Sequence, residues 1–270
     1  MNRTLLANFG LKWNPFSPDI PVESIYESPS MGQFCWRIEN AQIREGGFSL
    51  VVGDPGSGKS MMLRLLANKL EKHPELTIGI LTHPSSNLGD FYRELGEIFG
   101  VDLTPSNRWR GFKHLRECWA NHLDNTLFRP VLLIDEAQEM IPCVMSELRL
   151  LSSMEFDSKT LLTTVLAGDR RLTQKLQNSD LLPLASRIRV RLNMGPATRQ
   201  ELLACLSHSI KQAGNPKLMT KKLMEALIDH AAGNYRSLTI LANEMLMEGA
   251  KQEVPELDEK LFLQLMTHAQ

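Results

Sequence analysis

Residues 53–60 read Gly-Asp-Pro-Gly-Ser-Gly-Lys-Ser and follow the apolar run FSLVV directly. Three glycines in eight positions let backbone N–H groups curl around phosphate oxygens with no Cβ in the way. A helix that starts here points its positive end at the same place. Lys59 is long enough to reach β- and γ-phosphates, and the hydroxyl of Ser60 is a ligand for Mg²⁺. The binding set is Gly53, Asp54, Pro55, Gly56, Ser57, Gly58, Lys59, Ser60 and Met61, and the expected ligand is ATP with Mg²⁺. A chance glycine-rich turn is the competing reading. The position between a strand and a helix, which the phosphate chemistry requires, argues against it.

A second set of residues suits the other side of such a site. The run Val131-Leu132-Leu133-Ile134 delivers Asp135 and Glu136 to the end of a strand. Asp135 is placed to hold the Mg²⁺ shell and Glu136 to polarise an attacking water. The run 160–168 ends in Leu-Ala-Gly before Asp169. Asp169, or Thr163 or Thr164 in another register, is a candidate sensor of the γ-phosphate. Asp169 also fits a plain helix cap for RRLTQKL.

Three cationic stretches remain. Arg187, Arg189 and Arg191 alternate along 187–191, so on a strand they share one face. One of them, with Arg187 preferred, is a candidate finger for a neighbouring subunit's γ-phosphate, and a charged strand edge is the alternative. Arg236 follows Gly233-Asn234-Tyr235 at the start of a helix; it either closes onto the nucleotide or is a surface arginine on a turn, and the residues alone favour the second. The stretch 104–116 carries Arg108, Arg110, Lys113 and Arg116 around Trp109, with no acidic residue. That mixture suits contact with a nucleic-acid backbone and equally suits a solvated helix face.

The surrounding pattern supplies the elements that must hold these groups. Strand-like runs at 48–53, 77–83, 130–136, 160–168 and 189–194 alternate with helical runs at 60–72, 88–100, 111–127 and 144–154. Such alternation predicts an α/β fold, a parallel sheet with helices on both faces. From Pro196 onward the periodicity is helical only. The expected organisation is an α/β nucleotide-binding domain over 1–194 and a small helical domain over 195–270. Within the first, residues 1–46 are read as irregular and packed on the α/β domain, because Pro15, Pro18, Pro21 and Pro29 interrupt any long helix.

Thirty basic residues stand against 31 acidic ones, so net charge −1 leaves any attraction to nucleic acid to local clusters. The four cysteines form no CxxC pair, which suits a reducing compartment rather than a zinc site or a disulfide framework. The first residues lack a signal-peptide core, and no apolar run is long enough for a membrane span. The expectation is a cytoplasmic protein with no membrane partner.

With these motifs in order, the chain resembles the AAA+ ATPases, a P-loop NTPase family, and among them the ExeA/TniB/TnsC-type group. FGLKWNPFSPDI, LLIDEAQ, VLAGDRRL, LASRIRVRL and GNYRSL look like that group's entry segment, Walker B, sensor 1, arginine-finger region and sensor 2. The group often has Gln where this chain has Asp169 and Thr where it has Ser60. The resemblance implies a helical lid after the α/β core, ATP at subunit interfaces, a finger acting in trans, and Arg236 as sensor 2. It offers two branches. One assembles on double-stranded DNA as a ring or helical homo-oligomer, selects target sites and stimulates a transposase, sometimes with a target-selection protein. The other is a secretion or cell-envelope assembly ATPase that does not act on DNA. The chain stops soon after the lid, which favours the transposition branch. A scaffold that uses ATP only as a switch is a third reading, disfavoured by the Asp135-Glu136 pair.

Overall fold

The computed structural model describes residues 3–103, 107–156 and 158–268. The first three residues of the 104–116 stretch therefore lie outside the described residues. In chain order the elements are α1 Arg3–Asn8, α2 Pro29–Arg37, β1 Gly47–Gly53, α3 Lys59–Leu70, β2 Ile78–Leu81, α4 Leu88–Phe99, α5 Arg108–Thr126 and β3 Val131–Ile134. They continue with α6 Pro142–Ser152, β4 Thr163–Gly168, α7 Arg170–Leu176, β5 Ile188–Met194, α8 Arg199–Gln212, α9 Lys221–Ala231, α10 Tyr235–Lys251 and α11 Glu259–His268.

The chain divides into two compact units: residues 29–54 with 59–194, and residues 1–28 with 55–58 and 195–270. The first is the α/β unit. Its strands run parallel in the order β2-β3-β4-β1-β5. Successive side chains on each strand point to opposite faces. Leu50, Leu132, Ile134 and Leu166 accordingly join Phe91, Leu95 and Trp119 in one core. Val51, Leu133, Val165 and Ala167 join Phe34, Ile38, Met62 and Leu66 in the other. Each buried Val, Leu, Ile, Phe or Met side chain contributes about 1.5–3 kcal/mol, and the two cores hold the sheet from both sides.

The register positions the chemistry. Val52 pairs with Gly168, Ile134 with Leu166, and Leu81 with Ile134. Parallel strands in this register end together, so β1, β3 and β4 deliver Gly53, Asp135 and Asp169 to one edge of the sheet.

Local chemistry explains where elements begin. Helix α5 starts at Arg108 rather than at the expected Gly111, because the Asn107 side chain accepts from the Arg110 N–H at 2.9 Å and caps it. Strand β4 starts at Thr163 rather than Thr160. Lys159–Thr160 pairs antiparallel with Ser153–Met154, which leaves the preceding residues in a short ribbon. Thr163 and Thr164 therefore sit at the start of β4, away from the edge where Asp169 lies, and the Thr163 hydroxyl donates to the Gln42 carbonyl at 2.9 Å. Neither threonine can serve as the sensor. Gly100 ends α4 in the left-handed conformation, with φ 66°.

The second unit is helical. Leu206, Ile210, Leu227, Met245 and Leu246 form its core with Phe9, Leu11 and Phe16. Residues 1–28, expected on the α/β domain, belong here instead. Lys12 N donates to Ala213 O at 2.8 Å, and Asn14 donates to the Asn243 side chain at 2.7 Å. The prolines break this segment into a short helix, turns and a 3-10 turn, and it buries Phe9, Leu11 and Phe16 against the helices of this unit. Residues 29–46 are not irregular either: α2 opens at Pro29, where a missing N–H costs the first turn nothing. No helix among the described residues is long and apolar enough to cross a membrane.

Candidate nucleotide site

Gly56 and Gly58 hold φ values of 83° and 95°, a region closed to most side chains. Lys59, only 6% exposed, donates from Nζ to the carbonyls of Gly53 at 2.9 Å and Asp54 at 3.2 Å. A buried ammonium resting on neutral carbonyls is ready to exchange them for phosphate oxygens. The Ser57 hydroxyl is buried with no partner among the described residues. Ser60 stands exposed in the first turn of α3, and Met61 accepts from Arg64 through its sulfur at 3.4 Å. An orphaned buried hydroxyl, a buried lysine and a glycine cradle fit a triphosphate. Mg²⁺ keeps most of its waters and takes substrate oxygens, so Ser60 and Asp135 fit the protein's share of its ligands.

Residues 55–58 pack within the helical unit. The Asn234 side chain donates to Pro55 O at 2.9 Å, and the Arg236 N–H donates to Gly56 O at 3.3 Å. A Cβ on Gly56 would lie 2.3 Å from Asn234 Oδ1 and 2.9 Å from Arg236 Cβ. Arg236 itself is exposed in the first turn of α10.

At the ends of β3 and β4 the acidic residues are linked. Asp135 is half-buried and accepts the Glu136 N–H at 2.9 Å. Glu136 is exposed and has φ 50°, a left-handed conformation costing a non-glycine residue about 1–3 kcal/mol. Gln138 donates from Nε2 to the Glu136 carboxylate and accepts the Asp169 N–H at 3.2 Å. Asp169 caps α7: its Oδ1 accepts the Arg171 N–H at 2.8 Å and its Oδ2 the Arg171 guanidinium at 2.9 Å. Burial pushes the Asp169 carboxyl up, but the hydrogen bonds from Arg171 and the charge of Lys59 outweigh it and hold it below the usual value. Arg171 also meets Glu139 at 2.9 Å, and Arg170 meets Asp54 of the phosphate loop at 2.7 Å.

The remaining cations divide sharply. Arg187 folds back on the Pro183 carbonyl, Arg189 pairs with Glu45 at 3.1 Å, and Arg191 is exposed on β5 at the edge of the sheet. Arg108 donates through both Nε and Nη2 to Glu147, which is 3% exposed and also accepts from the Tyr92 hydroxyl at 2.5 Å. Lys113 lies 3.7 Å from Glu117. Arg110 is exposed beside Trp109, which stacks on Phe112. Of the candidate nucleic-acid contacts Arg108, Arg110 and Lys113, Arg108 is thus committed to the fold.

Comparison with known proteins bears on the family. A family model described as an AAA domain matches residues 42–176. The chain belongs to the AAA domain family. Its enzyme class is therefore that of the P-loop ATPases. General secretion pathway protein A of Aeromonas hydrophila is 30% identical over 243 residues, which cover 88% of this chain and 44% of that protein. The chain thus spans less than half the length of that curated relative. Among solved structures, Cdc6p from Pyrobaculum aerophilum is similar with a TM-score of 0.69 at 14% identity, over 90% of this chain and 67% of that one. Drosophila ORC bound to DNA gives a TM-score of 0.71 at 14% identity, over 97% of this chain and 65% of that one. At such identities the likeness is one of fold.

Within the AAA fold, the residues missed by sequence reasoning are Asn234, Gln138 and Arg170. Each acts through a partner far along the chain. The only local hints were Asn at a helix start, the Ala-Gln after Glu136, and the paired arginines after Asp169.

Proposed function

We propose that this AAA+ ATPase hydrolyses ATP with Mg²⁺ at the interfaces of a homo-oligomer that assembles on duplex DNA, and that in this state it regulates transposition by recruiting and stimulating a transposase. The observation that carries the reading is the common edge at which β1, β3 and β4 end, with Lys59, Asp135, Glu136 and Asp169 along it. Mg²⁺, when bound, neutralises charge on the β- and γ-phosphates. Ser60 and Asp135 would hold it. Lys59 trades the Gly53 and Asp54 carbonyls for phosphate oxygens. Glu136 orients the attacking water and accepts its proton. Asp169, kept ionised by Arg171, fixes the β4 end beside the γ-phosphate rather than donating to it. Arg187 of a neighbouring subunit and Arg236 of the same chain add cationic stabilisation.

The DNA part of the reading is supported by the order of the five resembling motifs and by the exposed Arg110 and Trp109 on α5. Contacts of this kind are mainly to phosphate, so binding is tolerant of sequence and weakened by salt. Electron microscopy with ATP and duplex DNA tests it: rings or helical assemblies are expected, and monomers alone would exclude it. A second reading, a secretion or cell-envelope assembly ATPase, is favoured by the similarity to General secretion pathway protein A. Oligomers whose turnover ignores DNA would select that reading.

A further inference from the structure

Gln138 is 4% exposed and sits between Ala137 and Met140, whose side chains are wholly buried. A buried amide needs partners for both ends. Here one end reaches the Glu136 carboxylate and the other the Asp169 N–H, so a single side chain ties the loop after β3 to the tip of β4. The arrangement is held from behind. Lys175 of α7 donates to the backbone carbonyls of Gln138 and, at 2.7 Å, of Met140. The tip of β4 makes room for the amide: a Cβ on Gly168 would lie 2.5 Å from Gln138 Oε1.

We infer that Gln138 is a positioning residue that sets the Glu136 carboxylate from the end of the β4 strand. Its Nε2 holds one carboxylate oxygen and leaves the other to face water. Its Oε1 moves with the Asp169 N–H, so a shift of the β4 tip is passed to Glu136 without a change in backbone connection. A residue that merely fills space would not need this pair of bonds, nor a glycine opposite it. The inference rests on the reading of Glu136 as the proton acceptor.

The test uses the full chain with Gln138→Met, Gln138→Glu and Glu136→Gln. Three quantities are measured: ATP turnover, equilibrium affinity for a fluorescent ATP analogue, and thermal stability. Gln138→Met is expected to lower kcat about tenfold or more, within the roughly 10²–10⁴-fold share of a general base, while nucleotide affinity stays within about twofold. Gln138→Glu keeps the shape and the acceptor for the Asp169 N–H but replaces the donor to Glu136 with a carboxylate oxygen, so it too is expected to lower kcat about tenfold or more with nucleotide affinity within about twofold. An unchanged kcat in Gln138→Met or Gln138→Glu, or a fall in kcat matched by lost affinity or stability, would overturn the inference alone. Parental turnover in Glu136→Gln would overturn the base assignment and this inference with it.

Discussion

Asn234 uses both ends of its side chain: Nδ2 donates to the Pro55 carbonyl at 2.9 Å, and Oδ1 accepts the Ser237 N–H at 3.1 Å. One residue therefore caps α10 and holds the phosphate loop. Two substitutions separate these roles. Asn234→Asp retains a cap acceptor but loses the donor to Pro55. Its stability is expected to stay near the parent's, with ATP affinity reduced several-fold. Asn234→Ala loses both, so it should also lose about 1 kcal/mol of stability. Thermal melts beside titrations with a fluorescent nucleotide check this. Equal affinity in all three proteins would show that the loop does not depend on Asn234.

Gly168 is required by close approach, not by its own conformation. An added Cβ would lie 2.5 Å from Gln138 Oε1 and 2.9 Å from Leu172 Cδ2. Gly168→Ala is expected to cost about 1–3 kcal/mol, as overpacking does in a filled core. Because the amide of Gln138 must move, turnover should fall further than the loss of folded protein explains. Steady-state assays corrected for folded fraction decide it.

Much of this edge was legible from residue type. An apolar run ending in Asp135 predicts a strand that delivers an acid to a sheet edge, and β3 does so. The glycines of the phosphate loop imply positive φ, and Gly56 and Gly58 have it. Partners in space were not legible. Gln138 accepts from the Asp169 N–H 31 residues away, and no local period marks the pair. Arg108 and Arg110 are alike in composition, and only the buried Glu147 separates them. The aromatics of residues 1–28 said that the segment packs, but the helical surface that receives it is formed about two hundred residues later, as in the Asn215–Phe9 bond with a separation of 206.

The two arginines should behave differently. Arg108→Ala leaves Glu147 buried with only the Tyr92 hydroxyl, so stability should fall by about 2–3 kcal/mol. Arg110→Ala removes an exposed charge and should leave stability within about 0.5 kcal/mol. If α5 meets DNA, Arg110→Ala also weakens binding and lowers its salt dependence. Chemical denaturation and DNA titrations at two salt concentrations measure both effects. Unchanged DNA affinity in Arg110→Ala would remove α5 from the interface.

The same cluster predicts a pH response. Burial, and then the hydrogen bond to Glu147, raise the Tyr92 phenol above its ordinary value. A raised folded-state value means that stability is fully present below the unfolded pKa, about 10, and is lost as pH rises above it. Tyr92→Phe cannot ionise, so its stability should fall less steeply over that alkaline range. Denaturant unfolding of both proteins across alkaline pH supplies the slopes, and equal slopes would assign the loss to other groups.

Arg187 is proposed to act on a neighbour's nucleotide, and mixing experiments can read that directly. Glu136→Gln retains Arg187 but lacks the base. Arg187→Ala retains the base but lacks the finger. Each protein alone should turn over little ATP, since a trans-acting arginine is worth about 10³-fold or more. In a mixed oligomer at equal amounts, about a quarter of interfaces would pair an intact Glu136 with an intact Arg187, if subunits mix at random and sites form between them. Recovery toward that fraction of parental turnover is therefore expected. No recovery, with mixed assembly shown by differently labelled subunits, would place the arginine's role within its own chain. The same mixtures made with Arg191→Ala separate the two: Arg191 is exposed on the edge strand, and recovery only in its mixtures would make it the finger.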